Sequence, residues 1–247
     1  MNPDYSELFD QRGGSYDIAM QTFPRARDQE FLQVVERMSL TSGMSVADVP
    51  AGGGYLQNYL CDGIELKQHE PCSSFTDHVP QVHSAVSEGR LLPLPWENSS
   101  IDVFTSIAGM HHEEDKFALF REALRVTRPG GQLVVSDVAE GSAVAQFLDD
   151  YVGQYNSTGH DGIFLNDGTI ADIKAAGWQV MAAEIVDFHW VFATKQDMAV
   201  FCHTLFDIRD KEYQRTIDEI ERRLGVHLNA DGTIGMHWSL MTITAHC

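Results

Sequence analysis

Residues 44–54 read MSVADVPAGGG, a short apolar run that ends in a glycine-rich loop, and the segment YLQNYL follows at 55–60. A strand, a glycine turn and a helix in this order form the first part of a βαβ unit. Glycine lets a ligand approach the backbone closely, and the amides that open a helix can donate to an anionic group. Pro50 lies in this loop and cannot adopt a positive φ. We therefore expect Gly52 to Gly54 to make the turn.

An acidic residue follows at the distance that nucleotide-binding units use. Glu70 stands roughly 20 residues beyond Asp48, at the end of a second predicted strand at 64–69. A carboxylate at that point can accept both ribose hydroxyls of an adenosine ligand. The turn and the acid alone are also compatible with a tight strand-to-helix connection beside a surface glutamate.

Strands and helices alternate along the central part of the chain. The acidic stretch Glu113-Glu114-Asp115 suits the positive end of a helix dipole, and Pro129 with its two following glycines breaks that helix. This alternation predicts an α/β fold with one doubly wound, mostly parallel sheet. The segments in question are strands at 82–86, 101–109 and 132–138 and a helix at 113–127.

The pattern changes after residue 139. Two late strands separated by helices predict an antiparallel addition at one edge of the sheet. The predicted segments are a helix near 142–152, a polar loop at 156–162, a short helix ending at Gly177, a strand at 178–188, helices at 195–207 and 210–224, and a strand at 235–245. Before the sheet, apolar residues at helical spacing predict an N-terminal helical cap over residues 1–43, leaving 44–247 as one structural unit.

The composition excludes several classes of partner. The chain has 247 residues and a net charge of −19, from 36 acidic and 17 basic side chains. Such a surface repels phosphate backbones and anionic membranes, so neither nucleic acid nor a membrane is an expected partner. No signal peptide or spanning segment is visible, and four cysteines without metal-ligand spacing suggest free thiols in a cytoplasmic protein. An apolar stripe at 198–206 is more typical of core than of a homodimer face or a pocket roof.

Four blocks of this sequence resemble the motifs of class I S-adenosylmethionine-dependent methyltransferases, in that family's order. They are VADVPAGGGYLQNYL, HEPCSSF, EGRLLPLPWENSSIDVFTSIAGMHH and FREALRVTRPGGQLVVSD. The resemblance implies a Rossmann-like methyltransferase fold with a reversed strand, S-adenosylmethionine as cofactor and, here, a small-molecule methyl acceptor. Pro50 departs from the pattern, because the family usually has its first glycine there.

The resemblance also implies which residues bind the cofactor. Asp48 would anchor the loop that faces the methionine amino group, and Glu70 would hold the ribose. The remaining positions are Ala51 and Gly52 beside the methionine half, Gly54 at the helix start, Glu88 and Gly89 bordering the adenine, and Ile107 and Ala108 offering a carbonyl to the ammonium.

The acceptor side is predicted from polar residues near the carboxyl edge of the sheet. His111 and His112 follow the strand at 101–109, and either imidazole could take a proton from the acceptor. His160 lies in the polar loop beside Asp161, which could hold one tautomer, and Asn156 of this loop could contact the acceptor. The alternative is a turn whose polar groups satisfy their own backbone. His111 has Glu114 three residues on, but further ligands at metal spacing are not visible, so we expect no metal.

In similar methyltransferases an N-terminal helix covers the cofactor, which implies acceptor or cofactor contacts from Tyr16 and from Arg25 or Arg27. The alternative is an amphipathic helix with solvated arginines. The predicted reaction is in-line methyl transfer to a small molecule, with His111 or His160 as general base. Two other functions remain open: a nicotinamide or flavin oxidoreductase, and a non-catalytic S-adenosylmethionine-binding sensor or scaffold subunit.

Overall fold

The computed structural model describes residues 5–76 and 90–247 of the chain. In this part of the chain a sheet runs in the order β2-β1-β3-β4-β7-β5, with β6 paired to β7. Strands β1 to β4 pair in parallel, and β7 pairs antiparallel with β4, β5 and β6. The strands are β1 Ser45–Asp48, β2 Glu65–Gln68, β3 Ile101–Ile107, β4 Thr127–Asp137, β5 Gln179–Phe192, β6 Val226–Leu228 and β7 Ile234–His246. The predicted α/β class, with its reversed edge, is confirmed.

Helices lie between these strands and before them. They are α1 Tyr5–Thr22, α2 Asp28–Val35, α3 Ser73–Thr76, α4 Lys116–Val126, α5 Ala143–Gln146, α6 Gly153–Tyr155, α7 Asp167–Ala175, α8 Lys195–Leu205 and α9 Tyr213–Arg223. A π-helical segment, Phe147–Val152, joins α5 to α6, and 3-10 helices span Tyr55–Tyr59 and Met110–His112. The strand predicted at 82–86 lies outside the described residues.

The acidic turn before α4 acts as a cap rather than as the first helical turn. The Asp115 carboxylate accepts a hydrogen bond from the Ala118 amide at 2.9 Å, so the helix begins one residue later at Lys116. Aspartate is a favoured N-cap because its side chain satisfies an amide that the helix leaves without a partner. The helix predicted at 113–127 is therefore present but shorter at both ends.

Both faces of the sheet are buried, as expected of a doubly wound fold. One apolar cluster contains Val103 and Val134, together with Met20 and Phe31 from the N-terminal helices. The other contains Phe104 and its neighbours under α4 and α7. Residues of α1 and α2 thus share a core with the sheet.

Among residues 5–76 and 90–247, no helix combines the length and apolarity needed to span a membrane.

Candidate active site

The glycine loop after β1 turns where the sequence predicts. Gly52 and Gly54 have φ angles of +52° and +75°, which side chains rarely tolerate. The ring of Pro50 packs against a further glycine, Gly109, which the sequence analysis did not identify. A Cβ added to Gly109 would lie 2.7 Å from Pro50 Cγ, so this position must lack a side chain for the proline ring to pack there.

Glu70 follows β2 and is fully buried. Its Oε2 accepts a hydrogen bond from the Gly52 amide at 2.6 Å, and its Oε1 accepts one from the Cys72 amide at 2.8 Å. Glu70 therefore holds the glycine loop directly, and its contact with a ribose remains a prediction.

A cavity opens beside this loop, and we name it the loop cavity. Its wall contains five of the predicted cofactor residues: Asp48, Ala51, Gly52, Ile107 and Ala108. Two more stand behind the wall, because Gly54 donates to the Ala51 carbonyl at 3.0 Å and Glu70 accepts from Gly52. The predicted contacts Glu88 and Gly89 lie outside the described residues.

Ala108 has a backbone conformation that is rare for its type. Its φ is +49°, and its amide donates to the Ser136 carbonyl at 2.8 Å. Non-glycine residues in this region cost about 1–3 kcal/mol and cluster at functional sites. The strained residue lies just after the carboxyl end of β3 and lines the loop cavity, which indicates a functional site there.

Asp48 is a buried acid at the wall of the loop cavity. Burial and the nearby Glu70 carboxylate raise its pKa to about 8, against a hydrogen bond from Gln68 that lowers it. Among the residues that the structure describes, Asp48 forms no ion pair. A positively charged ligand in this cavity would supply the missing counter-charge, because an opposite charge nearby favours the ionised carboxylate.

A second cavity, the histidine cavity, meets the first one. Tyr16, Arg27 and Ala108 line both. The histidine cavity takes its polar wall from His111, His112 and His160 and its apolar wall from Val138, Leu148, Trp190, Leu205, Phe206, Trp238 and Leu240. Its shape suits a ligand with an apolar body and a polar group turned toward the histidines.

His111 is held by a buried carboxylate. Its Nδ1 lies 2.7 Å from Asp137 Oδ1, and the Asp137 carboxylate also accepts from the amides of Met110, His111 and Val138 at 2.7–3.0 Å. Burial alone would raise the pKa of Asp137, but His111 and these amides outweigh it and lower the pKa. Asp137 is thus ionised and accepts from His111 Nδ1–H, which leaves the lone pair on His111 Nε2.

His160 is held in the same way, but not by the residue that the sequence indicated. Its Nδ1 lies 2.7 Å from Asp149 Oδ1, and that oxygen also accepts from the Gly162 amide at 3.1 Å. The expectation that the adjacent Asp161 fixes the tautomer is corrected accordingly: the partner comes from the π-helical segment, which packs beside the loop.

The three imidazoles of the histidine cavity stand together. The ring centroids of His111 and His112 are 4.1 Å apart, and that of His160 lies 5.5 and 5.4 Å from them. One ring nitrogen from each lies within 4.8 Å of the others. This geometry suits proton transfer, and three imidazoles also form a donor set for a transition metal. The expectation of no metal stays a prediction.

Tyr16 and the two arginines differ in their surroundings. Arg27 is buried and pairs with Glu30 through Nε–Oε2 and Nη2–Oε1 contacts of 2.9 and 2.6 Å, and its Nη1 donates to the Tyr16 hydroxyl. Arg25 is 89% exposed and pairs with Asp28. Of the two arginines, only Arg25 is solvated, as the alternative interpretation expected. Arg27 and Tyr16 line both cavities and form the partition between them. Burial raises the pKa of Tyr16, which keeps its hydroxyl neutral.

Asn156 bonds within its own loop. Its Oδ1 accepts from the Thr158 amide at 3.2 Å, and its Nδ2 donates to the Gly159 carbonyl at 3.2 Å. Of the described loop residues, His160 lines the histidine cavity, and Asn156 is not among the wall residues. The side chain of Asn156 thus bonds to the backbone of its own turn, which is the alternative that the sequence left open.

Sequence reasoning missed Asp137, Asp149 and Glu30. Asp137 ends β4 at the carboxyl edge of the sheet, and that position was a signal that could have found it. Asp149 and Glu30 lie in helical segments without a local signal, since each meets its partner through the packing of the fold.

The sequence comparisons agree with this geometry. Residues 47–135 match a family model described as a methyltransferase domain. A demethylmenaquinone methyltransferase of Corynebacterium efficiens is 29% identical over 54% of this chain and 59% of its own length. A 27-O-demethylrifamycin SV methyltransferase of Amycolatopsis mediterranei is 39% identical over 54% of this chain and 55% of its own length. The chain therefore spans little more than half the length of these relatives.

A solved structure matches over the whole chain. The 4+2 cyclase SpnF superposes with a TM-score of 0.67 at 16% identity, covering 100% of this chain and 97% of its own. This likeness concerns the fold, and a cyclase on it shows that the fold does not define the reaction. The parallel sheet with its reversed edge, the glycine loop and the match of residues 47–135 to a methyltransferase domain together support the predicted class I S-adenosylmethionine-dependent methyltransferase fold.

Proposed function

We propose that this chain transfers the methyl group of S-adenosylmethionine to a weakly acidic hydroxyl group of a small, largely apolar molecule. The observation that carries the proposal is the meeting of two cavities at Tyr16, Arg27 and Ala108. One is built on the glycine loop that the family uses for its cofactor, and the other presents a histidine held by a carboxylate.

The loop cavity fits a cationic adenosyl ligand. Asp48 would face its ammonium group, the backbone of Ala51 and Gly52 would border the methionine half, and Ile107 and Ala108 would offer a carbonyl. Glu70 would accept from the ribose hydroxyls. When bound, the cofactor supplies a methyl group already activated on a sulfonium. No protein residue needs to raise the reactivity of this methyl group. Alignment of the reactants therefore accounts for most of the lowering of the activation barrier, about 7–11 kcal/mol in well-oriented reactions.

The histidine cavity would bind and deprotonate the acceptor. Trp190 and Trp238, stacked with ring centroids 4.1 Å apart, would bury an apolar ring or chain together with Leu240. The Nε2 lone pair of His111 would take the hydroxyl proton, and Asp137 would stabilise the imidazolium that forms. His160, held by Asp149, is the alternative base, and His112 would contact the acceptor.

The size and charge of the acceptor follow from other observations. Two relatives are named for demethylmenaquinone and 27-O-demethylrifamycin SV, which are small molecules. The net charge of −19 argues against a nucleic acid as acceptor. A cytoplasmic location remains a prediction, and a homodimer remains an open alternative.

Release of S-adenosylhomocysteine tests the proposal. Full-length protein is first titrated with S-adenosylmethionine by calorimetry and then supplied with pools of apolar hydroxylated metabolites. We expect binding and pool-dependent release. Binding without release from any pool would favour the sensor or scaffold function. Heat with a nicotinamide or flavin cofactor, and none with S-adenosylmethionine, would favour the oxidoreductase.

Chelation separates the two uses of the histidine cavity. If His111 acts as a base without a metal, dialysis against EDTA should leave the release rate unchanged once an acceptor is found. A loss of activity that added Zn²⁺ restores, and that persists when His237 of the other three-histidine group is replaced by alanine, would contradict the metal-free mechanism and would assign the imidazoles of the histidine cavity to a cation instead. The measurement compares initial rates before and after dialysis.

A further inference from the structure

Three other histidines meet at the antiparallel end of the sheet. They come from three neighbouring strands: His189 from β5, His227 from β6 and His237 from β7. Their sequence neighbours Trp190 and Trp238 point into the core, so by strand alternation His189 and His237 lie on the opposite face. The cluster is therefore separate from the cavities described above, and we name it the sheet-face cluster.

Two ring nitrogens of the sheet-face cluster lie at the spacing of metal ligands, and a third is near them. His189 and His237 are directly paired in the β5–β7 register, and His189 Nε2 lies 3.2 Å from His237 Nδ1. Two nitrogens on one tetrahedral Zn²⁺, each about 2.0–2.1 Å from the metal, are roughly 3.3–3.4 Å apart. One ring nitrogen of His227 completes a set of three within 4.8 Å.

Two further residues position His227. Its Nε2 lies 2.6 Å from Asn229 Oδ1, and because an amide oxygen can only accept, Nε2 carries the proton and Nδ1 the lone pair. Gly235 lies directly opposite in the β6–β7 pairing, where a Cβ would come within 2.6 Å of His227 Cε1. In metal sites of proteins, an outer-shell acceptor commonly fixes the tautomer and orientation of a ligating histidine. Asn229 and the space at Gly235 would do this for His227.

The charges around the cluster also favour a cation. Among the described residues, none of these three histidines forms an ion pair with a carboxylate. Neutral imidazole is the form that binds metals, and the net charge of −19 attracts cations to the surface.

We propose that the sheet-face cluster binds one Zn²⁺ through His189, His227 and His237, with a water molecule in the fourth position. Because β6 has three residues and pairs with β7 alone in the described sheet, the ion would tie β6 to both long strands. The site would be independent of methyl transfer.

The test is a calorimetric titration of ZnCl₂ into full-length protein previously dialysed against EDTA. It is carried out in a His112→Ala background, so that the histidines of the histidine cavity cannot form a three-imidazole site. We expect one equivalent to bind. His237→Ala and His227→Ala should each lower the affinity at least about tenfold, and Asn229→Ala, which removes an outer-shell partner, about tenfold. Titration with CoCl₂ should give the visible bands of a tetrahedral site.

The matched control is His246→Ala, which removes a histidine of the same strand outside the cluster and should leave the affinity unchanged. Circular dichroism of each variant shows whether it is folded. Gly235→Ala keeps all three ligands but places a Cβ against the His227 ring, so it should also lower the affinity. Zn²⁺ binding that none of the cluster variants weakens would overturn the proposal. An absence of binding in the His112→Ala background would do the same, whereas neither result bears on methyl transfer.

Discussion

A buried acid that faces a cationic ligand should couple binding to proton release. In the free protein the pKa of Asp48 is raised to about 8, so at pH 7 the group is mainly protonated. A cation favours the carboxylate, so S-adenosylmethionine should bind more tightly as the pH rises toward 8, and this contribution should level off above it. The stability of the free protein should show the opposite trend, since an acid with a raised folded-state pKa destabilises the fold as pH rises between the unfolded and folded pKa values.

Calorimetry at pH 6, 7, 8 and 9 measures this coupling, with Asp48→Asn as the control. The amino group of the ligand titrates in both proteins, so the difference between the two curves reports Asp48 alone. Identical slopes in the two proteins would show that Asp48 does not face the ligand charge.

The assignment of His111 as base predicts a separation between turnover and binding. His111→Asn and Asp137→Asn should each lower kcat by about 10²–10⁴, the usual contribution of general acid–base catalysis. The dissociation constant of S-adenosylmethionine should change little, because neither residue lines the loop cavity. Single-turnover rates and calorimetry measure the two quantities. If His160→Asn has the larger effect on kcat, the base is His160 and its positioning residue is Asp149.

That residues near the ends of predicted strands lie together could be predicted from the sequence, whereas their partners could not. Asp48, Ala51, Gly52 and Ala108 follow or end a strand, and the carboxyl edge of a parallel sheet brings such positions together. Asp149 is different, because its contact with His160 depends on a π-helical segment that no periodicity indicates.

At the scale of elements, the residues that follow β1 and β3 pack against each other, with the ring of Pro50 against Gly109. A Cβ on Gly109 would press on the Pro50 ring at 2.7 Å, while the φ of Gly109 is an ordinary −128°. Gly109→Ala should therefore destabilise the protein by about 1–3 kcal/mol through overpacking and should weaken cofactor binding. Chemical denaturation and calorimetry measure both effects.

A double-mutant cycle tests whether Pro50 is the cause. Adding Pro50→Gly to Gly109→Ala should recover part of the lost stability, because neighbouring substitutions that share a contact are not additive. Gly14→Ala is a matched control, since a Cβ there would meet nothing within 4 Å. Strict additivity of the two changes would show that the proline ring does not impose the glycine.

The elements themselves follow the sequence closely where the apolar pattern is long. The strand predicted at 101–109 is Ile101–Ile107, and the two late strands are present but longer, because β5 and β7 extend each other by pairing along nearly their whole length. β6 was missed because three residues, Val226–Leu228, are too few to show a period. The segment after the glycine loop is a 3-10 helix rather than an α-helix, a distinction that apolar spacing over so few residues does not make.

At the scale of the whole molecule, the boundary predicted at residue 43 can be tested through one buried ion pair. Arg27 pairs with Glu30, and the Trp190 indole of β5 donates to Glu30 Oε2 at 2.7 Å, so the N-terminal segment is fastened to the far edge of the sheet. Arg27→Met leaves a buried carboxylate without its partner and should cost about 3–5 kcal/mol. Calorimetric unfolding should show one transition at a lower Tm, since α1, α2 and the sheet share a core.

The chain supplies its own control for this substitution. Arg25 and Asp28 form an ion pair with the same i,i+3 spacing, but Arg25 is exposed, so Arg25→Met should change the stability by about 0–1 kcal/mol. Adding Glu30→Gln to Arg27→Met removes the unpaired charge while keeping an acceptor for the Trp190 indole, and it should restore part of the loss. If Arg27→Met instead split the unfolding into two transitions, residues 1–43 would be a separate cap. The partition between the two cavities would then depend on its docking rather than on the common core.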